Sequence, residues 1–562
     1  MRSIIDRDIA RLEESIRALR SRRNELSPIS RLPVEILCKI FSLIGEKNFD
    51  NFYAKFDPSW TNFSKVSRHW RSSALSAPEL WTKIPLNYPR WAQEMLIRSK
   101  MANLTIRGQS FHSSNSKSME TIRSCLNQMN RVEEINLNGI SGSTLEEIFR
   151  DVPKSAPQLH TLCIGAGGNS FHYSGTGFSI HEDFLYNTER LQRVELIRCK
   201  ISWDAGFLTG LTCLTLEDSL NANSSIIQVL HALQRMPALT DLHLKDSIPD
   251  DSKGLSTSPV VDLPCLRVLN ISSGVGPLTA VLHHITFPHS AILNLTCKEK
   301  QSAQMDFSDF FSVLSAKFLS SLVIRSLSLR VPDGAYSSGL EFYLWTTSFM
   351  DCFPYTTSQS QLQLVLSWPS SHHHNHEKTV TCAFNAMSLP FLTQLQISNA
   401  GYVYSQTWVK TFGRLPLLEQ VCLRGNSPHS FLEALIYKKK AAEKSKSAYR
   451  AVSFPKLRHI HLDNVNFDQD LTPTIDILID CLMERYERKA EVQVLRLDDC
   501  YCVTFDDVER LEEIVVDVIW DEVEQGFTDE EDEEDEEEYD SDGNLIDSDY
   551  SGYDDFPMGA YW

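Results

Sequence analysis

His372, His373, His374 and His376 form the densest cluster of potentially reactive side chains in the sequence. Imidazoles so crowded raise affinity for transition metals. The surrounding stretch is rich in Pro and Ser, and no acidic or cysteine partner stands at zinc spacing. An exposed loop is therefore expected, with no metal or cofactor assigned. Lys438, Lys439, Lys440, Lys444, Lys446 and Arg450 form a basic run suited to nuclear import or an acidic partner, or simply to solvation. Gly165 to Gly177 is glycine-rich but lacks the Lys-Ser/Thr pair of a phosphate loop, so it reads as a loop insertion. No nucleophile elbow, HExxH or kinase-type set occurs. The expectation is a binding protein, not an enzyme.

The chain has 562 residues, 42% hydrophobic and 10% aromatic. That is too long for one ordinary core, and apolar enough to fold over most of its length. Its net charge of −20 is unevenly spread. Asp529 to Glu538 are all acidic, and Asp540, Asp542, Asp547, Asp549, Asp554 and Asp555 follow with no Lys or Arg among them. Without these sixteen carboxylates the rest carries only −4. No broad basic face remains for nucleic acid. The acidic tail, taken as 521–562, cannot bury itself and is expected to be disordered. Tyr539, Tyr550, Tyr553, Phe556 and Trp562 give it handles for a basic partner.

The thirteen cysteines contain no CxxC pair. The N-terminus lacks the apolar core of a signal peptide, and no run of about 18 apolar residues suggests a membrane span. Reduced thiols in a cytoplasmic and/or nuclear protein are expected.

Ile5, Ile9, Leu12, Ile16, Leu19 and Leu26 form a heptad stripe over 1–27, broken only at Arg23. It fits either a short coiled coil or a helix packed on its own domain. Pro33 then opens a helix carrying Ile36, Leu37, Ile40, Phe41 and Ile44. A second helix is expected from Ser59 as cap through Trp60, Phe63, Val66, Trp70 and Ala74, and Pro78 and Trp81 close the unit.

The pattern Leu32-Pro33-x-Glu35-Ile36-Leu37-x-x-Ile40-Phe41, then Val66-Ser67-x-x-Trp70-Arg71, then Pro78-x-Leu80-Trp81 resembles the F-box, most nearly that of proteins abundant in mushroom-forming fungi. The 25-residue gap from Phe41 to Val66 is longer than in compact F-boxes. The resemblance implies that the unit binds the adaptor subunit of an SCF-type cullin ubiquitin ligase, and through it a cullin. It assigns contact to Leu32, Pro33, Ile36, Leu37, Ile40 and Phe41, with Val66, Trp70 and Trp81 supporting the unit or adding to the contact. Leu37 and Phe41 suit contact or core equally; Trp70 suits core better.

The phrase L-x-x-L-x-L then recurs eleven times, from Val132/Ile135/Leu137 to Val492/Leu495/Leu497, with a weaker copy at Ile292–Leu295. The middle positions 135, 162, 194, 214, 242 and 269 step by 27, 32, 20, 28 and 27 residues. Leucine-rich repeats run at about 20–29. Cys199, Asn426 and Cys500 stand where such repeats place Asn or Cys. Each phrase predicts a short strand whose leucines face inward, with a helix returning outside. Gln361 to Trp368 supplies a candidate strand in the one double-length step. His243, Gln396 and His461 would face the concave surface. Val508, Leu511, Ile514, Val515, Val518 and Ile519 suggest a terminal capping helix.

The expected architecture is α/β: an N-terminal helix (1–27), an F-box (28–85), a linking segment (86–130), an irregular leucine-rich-repeat solenoid with a curved parallel sheet and helices outside (131–520), and the tail. The expected function is a substrate receptor, with a protein target on the repeats. The alternative is a repeat scaffold with no link to ubiquitination.

Overall fold

The computed structural model describes residues 2–49, 56–109, 116–167, 177–221, 224–250, 260–299, 306–332, 337–348, 360–369, 375–399, 403–425, 428–436, 453–467 and 475–525. His372, His373, His374, Asn426, the Lys438–Arg450 run, most of the glycine segment and the acidic tail beyond Gln525 lie outside these residues, whereas His376, expected in an exposed loop, is buried in the helix Asn375–Ala386.

The chain starts with α1 (Arg2–Glu25), of which no residue is buried. The heptad stripe therefore does not pack on its own domain. Helix α2 (Val34–Phe49) follows Pro33, whose carbonyl accepts the Leu37 N–H at 3.1 Å. The single helix expected from Ser59 is instead two elements. A 3-10 helix spans Pro58–Lys65, capped by Asp57 rather than Ser59, and α3 spans Arg68–Ser76. The Ser67 side chain accepts the Trp70 N–H at 3.1 Å and so starts a new helix in mid-pattern.

Among the described residues seventeen strands form one sheet. It begins at Lys83–Pro85, directly after Trp81, and continues with Leu104–Gln109 and Val132–Ile140. The segment expected only to link the units (86–130) thus already contributes one strand of the sheet, Leu104–Gln109, and the end of the expected F-box contributes another, Lys83–Pro85. Every leucine-type residue of the eleven repeat phrases is at most 3% exposed. Period-2 alternation turns these residues to the side covered by return helices such as Ile226–Gln234, which opens on a capping box from Ser225 and Gln228.

The strand exits share a conformation that the repeat phrase does not include. Arg198, Asp218, Asp246, Asn399, Asn464 and Asp499 all lie at φ of +48° to +59°, and Gly139 and Gly425 do likewise at +69° and +79°. Asp, Asn and Gly tolerate this left-handed turn better than other residues. At the next position Cys199 Sγ donates to the carbonyls of Ile164 (3.5 Å) and Ile197 (3.4 Å). Cys500 does the same to Leu462 and Asp498, both at 3.5 Å. Ser219 and Ser247 take equivalent places, with Ser219 Oγ donating to Leu196 at 3.0 Å and Ser247 Oγ to Lys245 at 2.8 Å.

Gly165 is not loop, as expected, but lies inside the strand Thr161–Ala166, where a Cβ would sit 2.0 Å from Asn138 Oδ1.

The middle of the sheet departs from a simple stack. Leu362–Pro369 is a strand, as the sequence suggests, but it pairs with Ile292–Lys298. Next comes Ser337–Trp345, antiparallel to both of its neighbours, and then Ser326–Arg330, which pairs with Gln394–Ser398. Only the residues 331–336 join Ser326–Arg330 to Ser337–Trp345. That is too short for a parallel crossover, which needs about a dozen residues, so the chain turns back as a hairpin. All other pairings in the sheet are parallel.

At the far edge the expected capping helix is shorter: it spans Phe505–Glu512, and Asp517–Trp520 forms a final strand. Among the described residues eleven cysteines have no disulfide partner, whereas Cys422 is disulfide-bonded, against the expectation of reduced thiols throughout.

Candidate protein-binding surfaces

Two surfaces stand out, one on the helical unit and one on the open face of the sheet. In the helical unit, α2 carries apolar residues on more than one face. Leu37 and Phe41 point inward and are fully buried. Phe41 stacks on Phe63 with centroids 4.1 Å apart, and Trp70 leans on it at 5.2 Å. Trp60 packs on Trp81 at 5.8 Å, and a Cβ on Gly45 would meet the Trp60 ring at 3.2 Å. Trp81 is fully buried, donates Nε1–H to the Ala74 carbonyl at 2.9 Å, and receives the Arg98 guanidinium 4.4 Å from its ring centre.

Among the described residues the other face of α2 has no such neighbours. Ile36 (49% exposed), Leu43 (51%) and Ile44 (44%) stay outside, with Ile40 half-buried among them. Their spacing of i, i+4, i+7 and i+8 draws one stripe along the helix. Ile29, Val34 and Val66 add further exposed apolar surface.

Of the nine residues expected at the contact, Pro33, Ile36 and Val66 are exposed, and Leu32, Ile40 and Trp70 are half-buried. Leu37, Phe41 and Trp81 are core and offer no side-chain surface to a partner. Sequence reasoning passed over Ile29, Val34 and Leu43 and gave Ile44 no contact role. The continuing i+7/i+8 spacing beyond Ile36 was the available signal.

On the open face, strand register aligns His243, Asn270, Asn294, Gln363, Tyr343 and Ser328 in one row, which runs on through Gln396, Cys422 and His461. The three residues expected to face the concave surface therefore share a row. Asn294 Nδ2 donates to Asn270 Oδ1, and Asn270 Nδ2 to His243 Nδ1, both at 2.6 Å. His461 Nε2 donates to Asp498 Oδ2 at 2.8 Å. Burial holds both histidines below the ordinary histidine pKa, against the pull of nearby carboxylates, Asp241 for His243 and Asp498 for His461. Tyr343 Oη donates to Glu341 at 3.0 Å, and its pKa is pushed up to about 12, first by burial and then by the Glu341 charge.

The charges beside this row are largely paired across strands: Arg107 with Glu134 at 3.2 Å, Lys298 with Asp246 at 2.6 Å, and Arg330 with Glu341 at 3.1 Å. A face compensated in this way is no trap for a lone ion. Asn270, Asn294, Gln363, Gln396 and His243 are half-buried along this row, whereas Cys422 and His461 are buried.

Among the described residues no cluster of three or more His, Cys, Asp or Glu side chains is placed to hold a metal. No described helix is long and apolar enough to cross a membrane.

The F-box-like family model matches residues 29–86, the helical unit together with the first strand of the sheet. No curated protein matches the chain. Among solved structures, a leucine-rich-repeat protein of Leptospira interrogans aligns at 13% identity over 76% of this chain and 91% of its own, with a TM-score of 0.29. A chain of the yeast Rad7–Elc1 complex aligns at 13% identity over 75% and 92%, with a TM-score of 0.28. At such scores neither superposition bears on what this chain does.

Proposed function

We propose that this chain is the substrate-recognition adaptor of an SCF-type cullin ubiquitin ligase. The observation that carries the reading is the division of labour within α2. In the segment matched by the F-box-like model, Leu37 and Phe41 lock the helical unit together while Ile36, Ile40, Leu43 and Ile44 remain as an outward apolar stripe. A stripe at helical spacing suits a partner's groove. F-boxes use this region to hold the ligase adaptor subunit, and the repeats would hold a protein target on the open face. The chain then contributes proximity: it raises the effective concentration of a target lysine near the ubiquitin-charged enzyme, with no reacting group of its own.

The test is calorimetric titration of the full chain with purified ligase adaptor subunit. The wild type should bind. Ile36→Asp combined with Ile40→Asp should not, because burying an unpaired carboxylate in an apolar contact is strongly unfavourable. If the wild type fails to bind the adaptor, the ligase reading falls and a repeat scaffold without ubiquitination takes its place.

A further inference from the structure

We infer that α1 is a self-association helix that pairs antiparallel with the α1 of a second copy of this chain. No residue of α1 is buried, yet Ile5, Ile9, Leu12, Ile16 and Leu19 line one side at 48–68% exposure. In heptad terms Ile9, Ile16 and Arg23 take position a, and Ile5, Leu12, Leu19 and Leu26 take position d.

The charges beside the stripe select the occupant and its direction. Asp6, Asp8 and Glu13 flank its N-terminal half, and Arg20 and Arg22 flank its C-terminal half. Run antiparallel, Ile9 meets Leu19 of the second copy and Leu12 meets Ile16. That register sets Asp6 beside Arg20 and Asp8 beside Arg22, each twice by symmetry. Arg23 falls opposite Ile5, where its long stem covers the isoleucine and its charge reaches the acidic flank. Of the flanking charges only Glu13 faces its own copy, and Arg17 already pairs with it at 3.6 Å within the helix. A parallel pair is worse on every count. It would oppose Asp8 to Glu13 twice and Arg23 to Arg23, with no attractive flank.

The 24 residues of α1 span about 36 Å, so antiparallel pairing puts the two folded bodies at opposite ends of the helix pair. The result is a bivalent molecule with two helical units facing away from each other. Three heptads make a short coiled coil, so the association should be concentration-dependent and weakened by salt.

Sedimentation velocity of the full chain, with no adaptor present, tests this separately from the ligase reading. The wild type should move from monomer to dimer across a dilution series, and Ile9→Asp with Ile16→Asp should stay monomeric. Asp6→Arg with Asp8→Arg makes every antiparallel flank basic. It should weaken self-association about tenfold or more, since four ion pairs become like-charge contacts. Arg20→Asp with Arg22→Asp should do the same, and an equal mixture of the two charge variants should recover a heterodimer. All these side chains are exposed, so the variants keep the fold, which circular dichroism checks. A wild type that stays monomeric throughout overturns the inference. So does tighter association of Asp6→Arg with Asp8→Arg, the outcome for a parallel pair, and so does a mixture that fails to associate.

Discussion

Phe41 and Phe63 stack with their rings 6° from parallel and 4.1 Å apart, and this contact joins α2 to the 3-10 helix before α3. Phe41 therefore stabilises the helical unit from inside, while Ile36, five residues earlier, sits on its surface. Phe41→Ala should lower the stability of that unit by about 3–5 kcal/mol, the usual cost of emptying a buried aromatic site. Ile36→Asp should change stability by no more than about 0.5 kcal/mol while removing adaptor binding. Urea denaturation followed by tryptophan fluorescence, together with a binding titration, separates the two. Equal destabilisation by both substitutions would mean that Ile36 is not a surface residue.

Leu269 is fully buried and its strand pairs on both sides, with Asp241–Lys245 and Ile292–Lys298. Leu269→Asp should place an unpaired carboxylate in the core and melt these neighbours first, because solenoids couple mainly through adjacent repeats. Hydrogen exchange should show lost protection spreading outward from residue 269, with α2 and α3 spared. Uniform loss from α2 to Trp520 would mean one indivisible cooperative unit.

The open face should make stability depend on pH. His243 and His461 have folded pKa values below the ordinary histidine value, chiefly because burial disfavours the charged ring. The unfolded chain then binds more protons, so stability is retained above about pH 6.5 and falls as the pH drops through the range below it. Urea midpoints should be lower at pH 5.5 than at pH 7.5, conditions on either side of the ordinary histidine pKa. The combined variant His243→Gln, His461→Gln should reduce that difference. An unchanged difference would assign the acid sensitivity to other groups.

At the C-terminal edge Val508, Leu511 and Val515 are buried, and Trp520 packs edge-on against Phe505 at 4.8 Å. The Gln525 carbonyl still accepts the Cys502 N–H, at 2.7 Å. A chain ending at Gln525 keeps all of these contacts and should melt like the full-length protein. A chain ending at Val503 loses the burial of three aliphatic side chains, worth at least about 3 kcal/mol in total, and should melt clearly lower. Equal melting temperatures for the two truncations would show that this edge does not support the sheet.

The sequence alone determined the inward register of the repeats and the existence of the helical unit. Leucines at period 2 flanked by return segments leave one way to remove apolar surface from water, and all eleven phrases are buried accordingly. Periodicity could not decide which apolar residues of α2 are core, because Ile36 and Leu37 differ only in which neighbours reach them. Among the described residues Phe63, Trp60 and Trp70 cover one face of the helix, while Ile36, Leu43 and Ile44 on the other stay exposed. Nor could spacing order the strands of the double-length step. There the short connection at 331–336 forces a hairpin, and the hairpin sends Leu362–Pro369 back beside Ile292–Lys298. The open-face row of His243, Asn270 and Asn294 likewise exists only in the folded sheet. Its members lie one repeat apart in the chain, and lateral hydrogen bonding between strands sets them side by side.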